Sequence, residues 1–172
     1  MINYDLNKIK AFFLDVDGVL SRQTITLHEN GDPLRTVNIK DGYALQYAVK
    51  KGFHVAVITG AKTEAIKLRY NRLGIHDVII GADVKINFYN QLKDKFNLID
   101  EQILYMGDDI PDYQIMTQCG LPCCPADAVP EIKKISAYIA SANGGDGCVR
   151  EVVEQVMKAQ NIWMNDNTAF GW

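Results

Sequence analysis

The sequence predicts an α/β fold, a parallel sheet with helices on both faces. Short apolar runs of four to seven residues, rich in β-branched side chains, recur along the chain. Longer amphipathic stretches of helical period separate them. Strand, helix, strand repeated this often demands crossover connections, and crossovers build parallel sheets. A third pattern is chemical. The residues best suited to catalysis sit just after the apolar runs, at the edge where such sheets collect ligands.

Strands are expected at 9–15 (IKAFFLD), 54–59 (HVAVIT), 77–81 (DVIIG), 103–108 (ILYMGD), 121–125 (LPCCP) and 137–140 (AYIA). Helices are expected at about 41–51, 62–73, 84–96, 111–118, 127–134 and 147–160. The strands read as nearly unbroken apolar runs because a sheet covered on both faces buries every side chain. Residues 22–40 interrupt the alternation. Two β-like stretches there flank ENGDP, an Asn-Gly turn signal, so a β-hairpin should project beside the first strand. The expected architecture is a three-layer Rossmann-like parallel sheet in a single domain over 1–172, with the hairpin at about 22–40. A C-terminal tail at about 161–172 ends in Trp163, Phe170 and Trp172. Loose ends are usually polar, so this one is expected to dock, either on its own domain or near an adjacent subunit's pocket.

Composition narrows the function classes. The 172 residues are 48% hydrophobic and 23% charged, ordinary globular proportions with enough length for a substantial core. A formal net charge of -3 gives no global attraction to nucleic acid or membrane, so an anionic ligand needs a local basic pocket. No run reaches the length of a membrane span, and MINYDLNKIK lacks the apolar core of a signal peptide, so a cytoplasmic location is expected. Cys119, Cys123, Cys124 and Cys148 form no CxxC pair and read as reduced, small core residues. His28, His54 and His76 are too scattered to suggest a metal site.

The stretch FFLDVDGVLS places Asp15 and Asp17 at the mouth of the first strand. Like charges this close repel unless a cation lies between them or one is protonated. Gly18 allows the backbone to turn sharply away and aim both groups at one point. Asp108 and Asp109, closing the fourth strand, bring further carboxylates to the same edge, and an all-oxygen cluster suits Mg2+. With the metal and Lys85 offsetting phosphate charge, one aspartate can attack phosphorus while its neighbour shuttles the proton. Thr59 and Gly60 close the second strand and read as phosphate-binding, although the Thr59 hydroxyl could instead cap the helix starting near Lys62. Within GDDIPD, Asp109 or Asp112 reads as a cap and Asp108 as the metal-site carboxylate.

DVDGVLS, VITG, Lys85 and GDDIPD, in this order across almost the whole chain, resemble the four motifs of the haloacid dehalogenase superfamily of phosphatases. The resemblance implies Asp15 as nucleophile, Asp17 as acid/base, and a magnesium site of Asp15, Asp108 and the Asp17 backbone carbonyl. It also implies that Thr59 and Lys85 hold the transferring phosphoryl group. A narrower resemblance, carried by the hairpin running into NIKDGYAL with VITG, RLGI, ILYMGDDIPD and GGDGCVREV, is to the small capless branch acting on 3-deoxy-D-manno-octulosonate 8-phosphate. That branch implies a homotetramer in lipopolysaccharide sugar synthesis, its small-molecule substrate a phosphorylated sugar acid. It further implies substrate contacts from Asn38, Ile39, Lys40, Asp41 and Gly42, from Gly60, Ala61 and Lys62, and from Arg69. The chain departs from the branch at TGAK, where many members read TGR and Ala61 replaces an arginine. A nonulosonate 9-phosphate is therefore a second candidate substrate. A phosphorylatable signalling receiver is a rival of another class. It would use Asp83 as phosphoacceptor and leave DVDG and GDDIPD unexplained. Arg35, Lys40, Lys62 and Arg69 are candidates for a substrate carboxylate. Having no large lid, the chain is expected to close its site with neighbouring subunits, through hairpins paired along their edges.

Overall fold

The structure, a computed structural model, describes residues 1–171; Trp172 lies outside the described residues. In chain order its strands are β1 (Ala11–Leu14), β2 (Thr26–Leu27), β3 (Pro33–Leu34), β4 (His54–Ile58), β5 (Asp77–Ile79), β6 (Ile103–Met106), β7 (Leu121–Cys124) and β8 (Tyr138–Ile139). The helices are α1 (Ile39–Lys50), α2 (Glu64–Asn71), α3 (Lys85–Lys95), α4 (Tyr113–Gln118), α5 (Pro130–Ile135) and α6 (Cys148–Ala159). Six strands form one parallel sheet in the order β5-β4-β1-β6-β7-β8. Counted along the chain this is 3-2-1-4-5-6, the doubly wound order with its switch point at the first strand. Receiver domains use the different order 2-1-3-4-5, so the topology argues against that rival.

Alternation within the strands splits the core into two layers. Phe12 and Leu14 of β1, with Val55, Val57, Leu104 and Met106, face α1, α2 and α6. Ala11 and Phe13, with Ala56, Ile58 and Tyr105, face α3, α4 and α5. Every β1 side chain is fully buried, which is why the strand reads as continuous apolar sequence. In α6 the residues Val149, Val152, Val153, Val156 and Met157 line one buried face, so packing overrides the modest helix propensity of valine. Asn38 caps α1 by accepting from the Lys40 and Asp41 amides at 2.9 and 3.1 Å.

The predicted hairpin is present but short. β2 and β3 pair antiparallel over two residues each, and Leu27 and Leu34 lie exposed. Through Gly171 the tail folds back on α1 of its own chain. The Tyr43 hydroxyl donates to the Ala169 carbonyl at 2.5 Å, and Lys51 pairs with Asp166. Trp163 packs edge-on against Tyr47, ring centres 5.7 Å apart. All four cysteines are buried and free, as expected of small core residues. No helix among the described residues is long and apolar enough to cross a membrane.

Candidate active site

Four strand ends meet at one cavity of about 550 Å³. Asp15 follows β1 directly, its amide donating to the Met106 carbonyl at 3.1 Å, so the β1–β6 ladder itself fixes its backbone. Gly18 has φ of +85°, and a Cβ there would lie 1.9 Å from Asp108 Oδ2. Only glycine lets the first loop turn while the Asp108 carboxylate rests against it. Thr59 follows β4, Lys85 opens α3 beyond β5, and Asp108 follows β6.

The electrostatic centre is buried. Lys85 Nζ lies 2.9 Å from Asp15 Oδ1 and 2.7 Å from Asp112 Oδ1, with all three side chains almost fully enclosed. Asp112 also accepts from the Tyr105 hydroxyl at 2.7 Å and from the Asp108 amide at 3.1 Å. One oxygen each of Asp15, Asp108 and Asp112 lie within 4.8 Å of one another. Three carboxylates thus face a single ammonium. Burial, then the proximity of Asp112, holds the Asp15 carboxyl well above its usual range despite Lys85. The same two influences push Asp108 up to about 7. Burial pulls Lys85 down, but Asp15 and Asp112 together outweigh it and raise its pKa. Hard carboxylate oxygens with unbalanced negative charge fit a divalent cation such as Mg2+.

Of the residues singled out in the sequence, Asp15, Asp17, Thr59, Gly60, Ala61, Lys85 and Asp108 all line this cavity. Thr59 is no helix cap. Its hydroxyl accepts from the Ala61 amide at 3.1 Å, and α2 starts only at Glu64, behind Thr63. That arrangement keeps the Thr59 O–H as a donor for an anion. Asp109 does cap the turn after it, accepting from the Ile110 amide at 2.7 Å. Asp112, the alternative cap, makes no capping bond and is instead fully buried beneath the site. Gln23 and Asp83 also line the cavity, and no sequence pattern marked Gln23.

The remaining candidates lie elsewhere. Asn38 spends its oxygen capping α1 and donates to the Gly145 carbonyl at 3.1 Å. Ile39, Lys40 and Lys62 are exposed outside the cavity lining. Asp41 is buried, accepts from the Arg150 amide at 2.7 Å, and has a second oxygen with no hydrogen-bond partner among the described residues. Gly42 allows Arg69 to approach, since a Cβ there would stand 2.5 Å from Arg69 Nη2. Arg69 lines a second hollow of about 200 Å³ with Arg35, Leu34, Val37, Ile66 and Tyr70, and its Nε is buried without a hydrogen-bond partner among the described residues. Arg35 bridges this hollow to Asp17.

A doubly wound sheet with acidic residues, a lysine and a threonine at the carboxyl ends of its strands defines a phosphoryl-handling α/β protein. The profile of the haloacid dehalogenase-like hydrolases matches residues 81–152. The 3-deoxy-D-manno-octulosonate 8-phosphate phosphatase KdsC of Escherichia coli K12 is 36% identical over 152 residues, spanning 88% of this chain and 81% of that protein. The crystal structure of the Yersinia pestis phosphatase of the same name superposes with a TM-score of 0.89 at 34% identity, covering 92% of this chain and 85% of that one. The Moraxella catarrhalis phosphatase, in complex with magnesium, phosphate and KDO, gives 0.87 at 33% identity, covering 91% and 90%. The chain belongs to the haloacid dehalogenase-like hydrolases and, within them, to the KdsC family.

Proposed function

We propose that this protein is a magnesium-dependent phosphomonoester hydrolase that converts 3-deoxy-D-manno-octulosonate 8-phosphate to the free sugar acid and phosphate, in lipopolysaccharide sugar synthesis in the cytoplasm. The observation that carries the reading is the buried Asp15–Lys85–Asp112 group, with Asp108 and Thr59 on the same cavity. The likeness to the KdsC phosphatases supports the substrate class.

Asp15 and Asp108, with the Asp17 backbone carbonyl that the family resemblance adds, would hold a magnesium ion, which would offset the phosphoryl charge. An oxygen of Asp15 attacks phosphorus, and the bond from phosphorus to the sugar oxygen breaks. Asp17 gives its proton to the departing oxygen. Water then attacks the aspartyl phosphate, its proton passes to Asp17, and the bond from phosphorus to Asp15 breaks to release phosphate. Lys85 and the Thr59 hydroxyl hold the phosphoryl oxygens, and Lys85 keeps Asp15 aimed. Asp112 anchors Lys85 from below, since both its oxygens are already engaged.

Ala61 lines the cavity at the position where the family resemblance leads one to expect arginine, which favours a second reading, a nonulosonate 9-phosphate. Exposed Leu27, Leu34, Val37 and Ile39 around the hairpin support closure of the site by other copies in a homotetramer. Phosphate release from a panel of phosphorylated sugar acids with Mg2+ tests the substrate. The eight-carbon ester should be preferred, and preference for a nine-carbon ester would move the assignment. Light scattering that finds an active monomer would reject the assembly.

A further inference from the structure

We propose that Arg35 is a positioning residue for the proton shuttle, holding the Asp17 carboxylate and thereby tying its placement to the hairpin. This rests on the phosphatase reading above and adds a residue and a structural dependence to it.

Asp17 sits beyond the end of β1, on the loop that turns at Gly18, and its side chain is 39% exposed. No strand ladder fixes that side chain, unlike the enclosed Asp15. Arg35 fixes it: Nε donates to Oδ1 at 2.6 Å and Nη2 to Oδ2 at 2.9 Å, a bidentate fork. The third nitrogen, Nη1, donates to Thr63 Oγ1 at 3.3 Å. Thr63 stands at the N-cap of α2 yet makes no side-chain capping bond, so its hydroxyl is engaged by Arg35 instead. The Arg35 side chain is only 12% exposed, although its neighbour Leu34 is exposed. One guanidinium therefore joins β3, the catalytic loop and the start of α2.

The geometry suits a shuttle. A carboxylate has about four acceptor positions, and the fork takes one on each oxygen, leaving the others for the proton. Proton transfer needs heavy atoms about 2.6–3.2 Å apart, and a misplacement of about 1 Å costs on the order of 100-fold. The planar fork sets both the position and the plane of the carboxylate, which a lysine ammonium does not. The hairpin has only two-residue strands, so whatever grips its exposed face also steadies Asp17 through Arg35.

The test compares two phosphate esters without a carboxylate, a hexose 6-phosphate with a poor leaving group and p-nitrophenyl phosphate with a good one. General-acid help matters for the first and little for the second. With Mg2+ present, R35A should lower kcat/KM on the hexose ester about 10- to 100-fold. On the aryl ester it should lower kcat/KM less than about 3-fold, with R35K intermediate and added methylguanidinium restoring part of the loss. An equal loss on both esters would overturn the proposal. So would a loss confined to carboxylate-bearing substrates and expressed in KM, because Arg35 would then be gripping the substrate's anion. An active wild type with unchanged R35A also rejects it and leaves the phosphatase reading intact. A wild type that turns over no phosphate ester rejects the reading itself.

Discussion

The acid centre and the hairpin lie on either side of Asp17 and are built in opposite ways. At the centre, Asp15 and Lys85 are both under a tenth exposed, Asp112 is fully enclosed, and every strand that delivers a group belongs to a six-stranded ladder. In the hairpin, two strands of two residues each stand in solvent with apolar side chains uncovered. The first region is preorganised by the fold. The second takes its order from a few tethers: Arg35 to Asp17, and Thr36 Oγ1, which accepts from the Arg22 amide at 3.1 Å. Bond-breaking chemistry occupies the rigid part, while the groups available to recognise the rest of a substrate lie on the adaptable rim.

That contrast fixes the order of expected effects. Asp15→Asn should lose at least about a thousandfold in turnover while folding normally, because the amide keeps the shape and removes the nucleophile. A variant with near wild-type turnover would dissolve the distinction between the two regions. Asp112→Ala should lose about 3–5 kcal/mol of stability by denaturant unfolding, since it strands Lys85, the Tyr105 hydroxyl and the Asp108 amide without their acceptor. A loss below about 1 kcal/mol would mean that water substitutes readily for the lost carboxylate despite its burial.

Mg2+ should raise the thermal midpoint by an amount that grows with its concentration. A site at 100 times its Kd gains about 2.7 kcal/mol. Asp15→Asn should blunt the gain, whereas hairpin variants should not. The buried Asp41 gives a smaller, pH-dependent effect. Burial pushes its carboxyl up to about 6 from an ordinary value of 3.8. The folded state therefore prefers the protonated form, and stability present below about pH 4 is lost as pH rises toward 6, then levels off. Asp41→Asn should remove that slope, shifting the stability difference in its favour by at most about 3 kcal/mol between pH 4 and pH 7. A slope unchanged in the variant would place its origin elsewhere. Smallest of all, Leu27→Ser with Leu34→Ser should change the unfolding free energy by less than about 0.5 kcal/mol, because neither side chain is buried within the chain. The same pair should weaken self-association if copies close the site, as sedimentation would reveal.

Much of this was legible in the linear chain. Six apolar runs located the six sheet strands, each expected strand containing the observed one, because a doubly covered parallel sheet buries most strand positions and leaves polar residues such as His54 and Asp77 only at strand ends. The residues that follow those runs converge because strand ends in such a sheet share one edge. Between Asp109 and Asp112 the cap was left open, since a carboxylate at a turn looks the same whether it caps, as Asp109 does, or sinks beneath a lysine, as Asp112 does. The carried-over segment Asn38–Gly42 was less legible still. Asn38 is consumed as a helix cap and Asp41 points into the interior, and neither shows in residue type.

The sequence by itself determined the strand and helix order, the edge at which chemistry gathers, and the acids delivered there, because periodicity and strand polarity are local properties. Only the tertiary structure decided which charges meet. Burial of Lys85 between Asp15 and Asp112, and the reach of Arg35 across 18 residues to Asp17, depend on distances between elements remote in the chain. Coulomb and hydrogen-bond energies fall off over a few ångströms, so a list of residues cannot contain them until the fold sets the spacing.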